Sequence, residues 1–507
     1  MENDRIKNTT RNMWAGFIYR IINLLFPFGI NTIIIKTLGV DYLGLNMLFA
    51  SILQVLSLSE LGFGTALVFS MYEPIVKKDY KKISAFLGLY RSVYKKIGVV
   101  IIIGGIGCMP ILPTVINGEV PNELNIYILF AISLINTVVD FFLYAYRSAL
   151  LYAYQRKDII EKINIIIEFL LNVSKILILI TTKNYYLFCI LVPVFTVINR
   201  IWAGVISKKM FPNINCEGNL SENEKKSVYS RVIGISLHRI CYVVSNSFDS
   251  IIISSILGIK ILGQYTNYFV IGNALSMLLL IVTTSASSSI GNSIVCESKE
   301  KNYRDFNTFQ FGYSIISGWA SICLACLSQP FVKLWVGEEL MFDDVTAIIF
   351  AVFLYSRVSG SVFMTYREAA GIWAHDRVRP FVEAVLNLSM NIILVKVLGV
   401  CGVLLSTIFT NGLIQMVWAS RYLYKEYFTE YSHAKYLLKQ LLYLMVTVFI
   451  GIITYFICSY ISIEGFVGLI IKGVVSVTVS VLMYIVIYCR TTEFKRVLCL
   501  GREMINR

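Results

Sequence analysis

Charge is what this sequence has least of. Only 15% of its 507 residues are Asp, Glu, Lys or Arg, while 57% are hydrophobic and the mean hydropathy is +0.70. A soluble chain of this length needs a charged surface, so the scarcity excludes a soluble globular protein and points to lipid as the solvent. Proline is scarce too, at 9, and most prolines sit at the ends of apolar runs. Those runs are long enough, at roughly 18 residues or more, to cross a hydrocarbon layer about 30 Å thick as helices. A β-barrel would instead show short alternating strands. The sequence has no P-loop, GxSxG, HExxH or kinase signature. It also has no loop longer than about 25 residues, where a domain needs about 50. No room is left for a soluble catalytic domain, and an enzyme is not expected. The 11 cysteines lack ligand spacing. Cys323 and Cys326 share an apolar helix, and Cys108, Cys189 and Cys241 lie in apolar runs, as small packing residues do.

What is present is an all-α integral membrane protein of about fourteen transmembrane helices. The spans run approximately over 12–36, 43–70, 95–116, 122–146, 159–181, 185–207, 228–257, 263–290, 306–328, 345–370, 379–398, 400–421, 437–460 and 465–488. The formal net charge of +14 does not signal nucleic acid, because the basic residues collect in alternate loops. Lys77, Lys78, Lys81 and Lys82 follow the second span; Lys208, Lys209, Lys225 and Lys226 follow the sixth; Arg421, Lys425, Lys435 and Lys439 follow the twelfth. The intervening loops carry about one basic residue each, such as Lys36, Lys183 and Lys260. This alternation places both termini in the cytoplasm. The polar start, MENDRIKNTTRN, leads into a long apolar run without a small-residue cleavage site, so a retained first helix is expected.

A repeat underlies the spans. Leu38-Gly39-Val40-Asp41-Tyr42-Leu43-Gly44 is echoed by Leu257-Gly258-Ile259-Lys260-Ile261-Leu262-Gly263, displaced by 258 − 39 = 219 positions. Tyr146-Arg147-Ser148-Ala149 is echoed by Tyr366-Arg367-Glu368-Ala369, displaced by 366 − 146 = 220. Asp79-Tyr80-Lys81 is echoed by Asn302-Tyr303-Arg304. The displacement spans six helices, an even number, so both copies start on the same side: a parallel repeat about an axis along the membrane normal. The expected division is 1–207 as a six-helix lobe, 208–227 as a cytoplasmic inter-lobe loop, 228–426 as a second six-helix lobe, and 427–507 as two extra helices with a cytoplasmic tail.

Ionisable residues inside spans cost about 2.5–3.5 kcal/mol at mid-bilayer and usually face a bundle interior or a wet cavity. Arg20, Glu60, Asp140, Glu168, Lys175, His238, Arg239 and Arg357 are of this kind. Arg20 and Arg239 are 219 apart, the repeat displacement, on the first helix of each lobe. Each belongs to a polar stripe: Asn12, Arg20, Asn23 and Asn31 on one helix, and Arg231, Arg239, Tyr242, Asn246 and Ser250 on the other. Facing each other, these stripes would line a hydrated cleft. The planar guanidinium bonds phosphate bidentately and stays charged, which makes Arg20, Arg239 and Arg357, with Asn23 and Asn246, candidate substrate-binding residues. Glu60, ahead of the glycines of Leu61-Gly62-Phe63-Gly64, and Asp140 are candidates for a proton or sodium coupling site. The plainer alternative is interhelical ion pairing, Arg20 with Glu60 and Lys175 with Glu168. His238 reads as a hydrogen-bonded interior residue. No cofactor is expected.

The sequence resembles the polysaccharide transporter family, the Wzx-type flippases of O-antigen, capsule and teichoic acid, within the MATE-like superfamily. The resemblance rests on Thr37-Leu38-Gly39-Val40 through Gly44, Leu61-Gly62-Phe63-Gly64-Thr65-Ala66-Leu67, the basic Lys77–Lys82 segment, and Phe331-Val332-Lys333-Leu334-Trp335-Val336-Gly337-Glu338. It covers about residues 10 to 425. What it implies is a bacterial plasma-membrane flippase moving undecaprenyl-pyrophosphate-linked oligosaccharide to the outer leaflet, with a cationic cavity for the headgroup. Arg20, Arg239 and Arg357 would supply the charge. Membrane lipids, a polysaccharide polymerase and glycosyltransferases would be its partners. Two other readings stay open: a MATE-type drug or cation antiporter, more often of twelve spans, and a membrane polysaccharide polymerase, which would need a sizeable outer loop.

Overall fold

The computed structural model describes residues 2–505 apart from 61–62, 119, 144, 373–375 and 377. Side chains are described for these residues except 2–18, 20, 59–60, 145, 231, 233–239, 242, 245–246 and 500–505. All regular secondary structure among the described residues is helical, and the chain forms two compact units, 1–263 and 264–507.

The first unit holds α1 (Glu2–Thr37), α2 (Val40–Leu56), α3 (Phe63–Val76), α4 (Tyr80–Cys108), the short α5 (Leu112–Val115), α6 (Ile126–Phe142), α7 (Ala145–Ala153), α8 (Lys157–Thr182), α9 (Tyr185–Met210) and α10 (Glu222–Ile252). α1 lies along α8, α6 and α8 pack on α9, and α2 and α3 pack on α10. The next helix, α11 (Ile259–Cys296), starts in this unit and continues in the second. The second unit continues with α12 (Lys299–Val336), α13 (Asp344–Ser359), α14 (Ser361–Ala369), α15 (Val378–Leu398), α16 (Val400–Thr410), α17 (Ser420–Glu426), α18 (His433–Ser459), α19 (Gly465–Tyr488) and α20 (Thr492–Ile505). α12 is its central post, packed by α13, α18, α19 and α20.

Among the described residues ten helices are long and apolar enough to cross a membrane, or eleven if α6 and α7 count as one bent span. The difference from fourteen lies in spans that are broken or end short. Ile21–Thr37, Val40–Leu56, Phe63–Val76 and Ser247–Leu257 are apolar but shorter, and fall in expected spans 1, 2 and 7. Span 2 breaks at a tight 3₁₀ turn, Ser57–Glu60, just ahead of the glycines. Span 4 bends by 53° between α6 and α7. Span 10 is interrupted at Gly360 between α13 and α14 yet still counts among the ten as Asp344–Ala369. A continuous hydropathy signal does not register such breaks, because apolar residues flank them on both sides.

The basic segments expected as loops are largely first turns of helices. Asp79 caps α4 by accepting from the Lys82 N–H, Ser298 caps α12 through the Lys301 N–H, and Ser221 forms a reciprocal capping box with Glu224 on α10. Each cap satisfies donors the helix start leaves open and lets the helix run past its apolar stretch.

The two Gly-x4-Gly turns share one backbone shape. Gly39 has φ 120° and ψ 168°, and Gly258 has φ 104° and ψ 162°, a region where a side chain would clash. Downstream, Gly44 packs its α-carbon face on the Ile259 carbonyl, and Gly263 packs on the Val40 carbonyl. The echoed Tyr-Arg motifs fall on the short helices α7 and α14, and both arginines are buried. Arg147 donates to the Ile214 carbonyl at 2.9 Å, and Arg367 pairs with Asp376.

The last two spans seat on α12. Phe311, Ile322 and Cys326 of α12 pack with Tyr443, Ile450 and Cys458 of α18 and with Tyr484 and Tyr488 of α19. Gly318 leaves room for the Thr447–Tyr484 hydroxyl pair, 2.8 Å apart. The Gln310 amide, on the same helix, donates to the Ser359 carbonyl and to Gln440 of α18, each at 3.2 Å.

Candidate functional site

Within the first unit, α6, α8 and α9 carry polar residues at helical spacing on otherwise apolar stretches. α6 has Asn136 and Asp140; α8 has Asn164, Glu168, Asn172 and Lys175; α9 has Thr196, Asn199 and Arg200. An i, i+3/i+4 rhythm puts each set on one face, and the structure brings the three faces together. Thr196 Oγ1 donates to Asn136 Oδ1 at 2.8 Å, Asn199 Nδ2 donates to Asn164 Oδ1 at 3.0 Å, and Arg200 Nε donates to Asp140 Oδ1 at 2.8 Å. α9 is thereby bonded to α6 at two levels and to α8 at one.

The pair at the third level is not sealed. The Arg200 and Asp140 side chains remain 27% and 42% accessible, so both retain contact with space outside the packed helices. The contact to Asp140 engages the guanidinium through Nε. Further along α8, the Lys175 ammonium lies 5.1 Å from the Phe188 ring centroid, a cation–π contact that holds it.

Arg357, in the second unit, rests its guanidinium 5.8 Å from the Phe269 ring centroid, with Nη2 3.5 Å from Asn273 Oδ1. It is half-buried, and these loose contacts orient it without neutralising it. Asn23 lies on α1, but its amide donates to the Tyr19 carbonyl of its own helix at 2.9 Å. Ser250, at the end of the expected α10 stripe, is buried, and Ser247 one turn earlier donates to Gln54 of α2 at 3.1 Å. Arg20, Arg239 and Asn246 lie on α1 and α10, and Glu60 on the turn after α2, with side chains outside the described residues. The His238 side chain, also on α10, falls outside them too.

Arg200 and Asn199 were not singled out from the sequence. The available signal was an arginine eight residues inside the Lys208 end of an apolar run. Its partner is 60 positions away, a separation that no periodicity reveals.

At the basic end of this unit α3, α4 and α10 surround a cavity of about 380 Å³ whose lining includes Phe69, Tyr72, Lys82, Phe86, Glu224 and Val228. Hydrogen bonds from Lys82 and Ser221 hold the Glu224 carboxyl far below its ordinary range, at about 2. The same contact raises the Lys82 ammonium. Among the described residues no group of three His, Cys, Asp or Glu side chains is placed to hold a metal ion.

No family model and no curated protein matches the chain. Solved structures do. A lipid II flippase, MurJ, in an inward closed conformation aligns over 94% of this chain and 98% of its own, with TM-score 0.60 and 17% identity. An inward-facing multidrug resistance MATE transporter of the MOP superfamily aligns over 78% of this chain and 93% of its own, with TM-score 0.59 and 16% identity. A MOP-superfamily transporter from Pyrococcus furiosus aligns over 82% and 95%, with TM-score 0.54 and 12% identity. The chain has the fold of MOP-superfamily membrane transporters.

Proposed function

We propose that this chain is a flippase that carries lipid-linked oligosaccharide units, on undecaprenyl pyrophosphate, from the cytoplasmic to the outer leaflet for surface polysaccharide synthesis. The supporting observation is the extent of the match. The alignment with the lipid II flippase leaves only about 30 of 507 residues uncovered. That is fewer than the 56 positions of 433–488, so it covers at least part of that stretch. The multidrug transporter leaves more than 100 residues uncovered.

The chemistry fits the reading. A pyrophosphate with its sugars cannot cross hydrocarbon unaided, since an unpaired charge there costs many kcal/mol. Fixed amides and guanidinium groups replace the lost water while the polyprenyl tail stays in lipid. We assign headgroup binding to Arg20 and Arg239, with Arg357, Asn23 and Asn246 as further contacts, in two like-oriented halves spanning 1–207 and 228–426. Fourteen spans with both termini cytoplasmic, in a bacterial plasma membrane, complete the reading. The matched shapes of Gly39 and Gly258, and the matched packing of Gly44 and Gly263, support the repeat. A proton or sodium gradient would drive transport. Glu60 is the acid we put first, because Arg200 already holds Asp140. A polysaccharide polymerase and glycosyltransferases are the partners we propose.

Reconstitution into vesicles with defined lipid-linked oligosaccharides, scoring leaflet transfer by glycosidase accessibility, tests this directly. Wild type is expected to transfer, and Arg20→Ala with Arg239→Ala to lose transfer while still inserting. Transfer at wild-type rate by that double variant would remove the arginine pair. Absence of transfer by wild type, alongside export of organic cations, would favour the antiporter.

A further inference from the structure

The contact between the two Gly-x4-Gly turns has a property that neither turn has alone. Gly44 packs on the carbonyl of Ile259, and Gly263 packs on the carbonyl of Val40. The arithmetic is reciprocal: 44 + 219 = 263 and 40 + 219 = 259. Residue A of one copy touches residue B of the other, and B touches A in turn, which is the signature of an isologous contact across a two-fold axis. At both glycines a Cβ would fall inside van der Waals contact with a backbone oxygen, which cannot swing aside as a flexible side chain could. The contact is therefore closed to any larger residue on either side.

A strap reinforces it. Val115, the last residue of α5, and Asn117 hydrogen-bond to the π-helical turn Ile253–Leu257 that follows α10 and to Ile259 at the start of α11. The Asn117 N–H donates to the Ser254 carbonyl and the Ile259 N–H donates to the Asn117 carbonyl. The Asn117 amide donates to the Ile256 carbonyl at 3.3 Å, and the Ser254 hydroxyl to the Val115 carbonyl at 2.9 Å. Below the turns, Ser247 of α10 meets Gln54 of α2. All of these residues lie in the first unit, at the end whose loops are poor in Lys and Arg.

We propose that the reciprocal glycine contact, strapped by Asn117, is a gate that holds α2 against the turn from α10 into α11 at the outer end and must part for that end to open. Four carbonyl-directed hydrogen bonds and two backbone-to-glycine contacts make a tight closure, and none of these six contacts uses a charged side chain. It can release and re-form without stranding an ion. The proposal rests on the alternating-access reading above. Its test contains no substrate, however, so a wrong substrate class would fail the reconstitution assay and leave this one untouched.

The experiment places Ser247→Cys in a chain whose native cysteines are replaced, and follows labelling by a membrane-impermeant maleimide in right-side-out vesicles. Ser247 is buried against α2, so the closed form should label slowly. Gly44→Ala and Gly263→Ala are each expected to raise the rate by about tenfold through a shift toward the open form. Gly29→Ala, with open space around its Cβ, should match the parent. Rates within about twofold of the parent in folded Gly44→Ala and Gly263→Ala would overturn the gate. If neither folds, Asn117→Ala decides: it removes a strap bond without a clash and is expected to raise labelling about threefold, and an unchanged rate overturns the proposal.

Discussion

Removing either partner of the Arg200–Asp140 pair leaves the other as a lone charge inside an apolar bundle. A lone charge at mid-bilayer costs about 2.5–3.5 kcal/mol on insertion scales, and breaking a fully buried pair costs about 3–5 kcal/mol. This pair is not fully buried: 27% of the arginine side chain and 42% of the aspartate side chain are accessible. Both side chains keep surface outside the helix packing, so we discount those figures and expect about 1–2 kcal/mol for Asp140→Leu or Arg200→Leu alone. The double substitution removes both charges together, so its loss should be smaller than the sum of the singles, with an interaction energy of about 1–2 kcal/mol. Denaturant titration of the purified protein in mild detergent, read by gel filtration of the folded species, supplies the three values. Losses that add to within about 0.3 kcal/mol would show that the 2.8 Å contact carries no coupling, and would refute the reasoning.

Two further outcomes follow from the second unit. His433 meets the Ser420 hydroxyl at 2.7 Å, and burial together with nearby Arg421 pulls its imidazole below its ordinary value near 6.5. The unfolded chain therefore binds the proton more readily. Stability from this site is present above about pH 6.5 and falls as pH drops through the folded value; melting curves between pH 7.5 and 5.5 should show the fall, and His433→Asn should flatten it. At Gly318 a side chain would collide with the Tyr484 and Thr447 hydroxyls, so Gly318→Val is expected to cost about 1–3 kcal/mol by overpacking and lower the melting temperature; an unchanged melt would show that α18 and α19 are not tightly seated.

The helices were legible because lipid imposes one requirement on every span, and composition alone answers it. Apolar length located α4, α8, α9, α12, α18 and α19. Neither the 3₁₀ turn Ser57–Glu60 nor the interruption at Gly360 was legible: both fall inside runs expected to be unbroken, 43–70 and 345–370, because apolar residues flank them. The echo of Tyr146-Arg147 by Tyr366-Arg367 pointed to equivalent helices, and both arginines are buried with partners. The site was harder to read. A polar stripe shows which face is polar and not what the face meets: Asn23 was placed in a cleft-lining stripe, yet its amide turns back to the Tyr19 carbonyl. Arg200 was overlooked because its meaning comes from Asp140, and tertiary pairing leaves no trace in local spacing.

The seating of α18 and α19 on α12 bears on how such a chain could be shortened. Gln310 bridges to Gln440 and the Ser359 carbonyl, and the surface around Gly318 is shaped for two hydroxyls from outside α12. Cut the chain after Glu426 and that amide loses a mate, while a notch sized for tyrosine and threonine turns toward acyl chains. The final hairpin is thus a fitted wall of the second unit and not a detachable trailer. A truncated version should be judged as a damaged protein before it is judged as a smaller transporter.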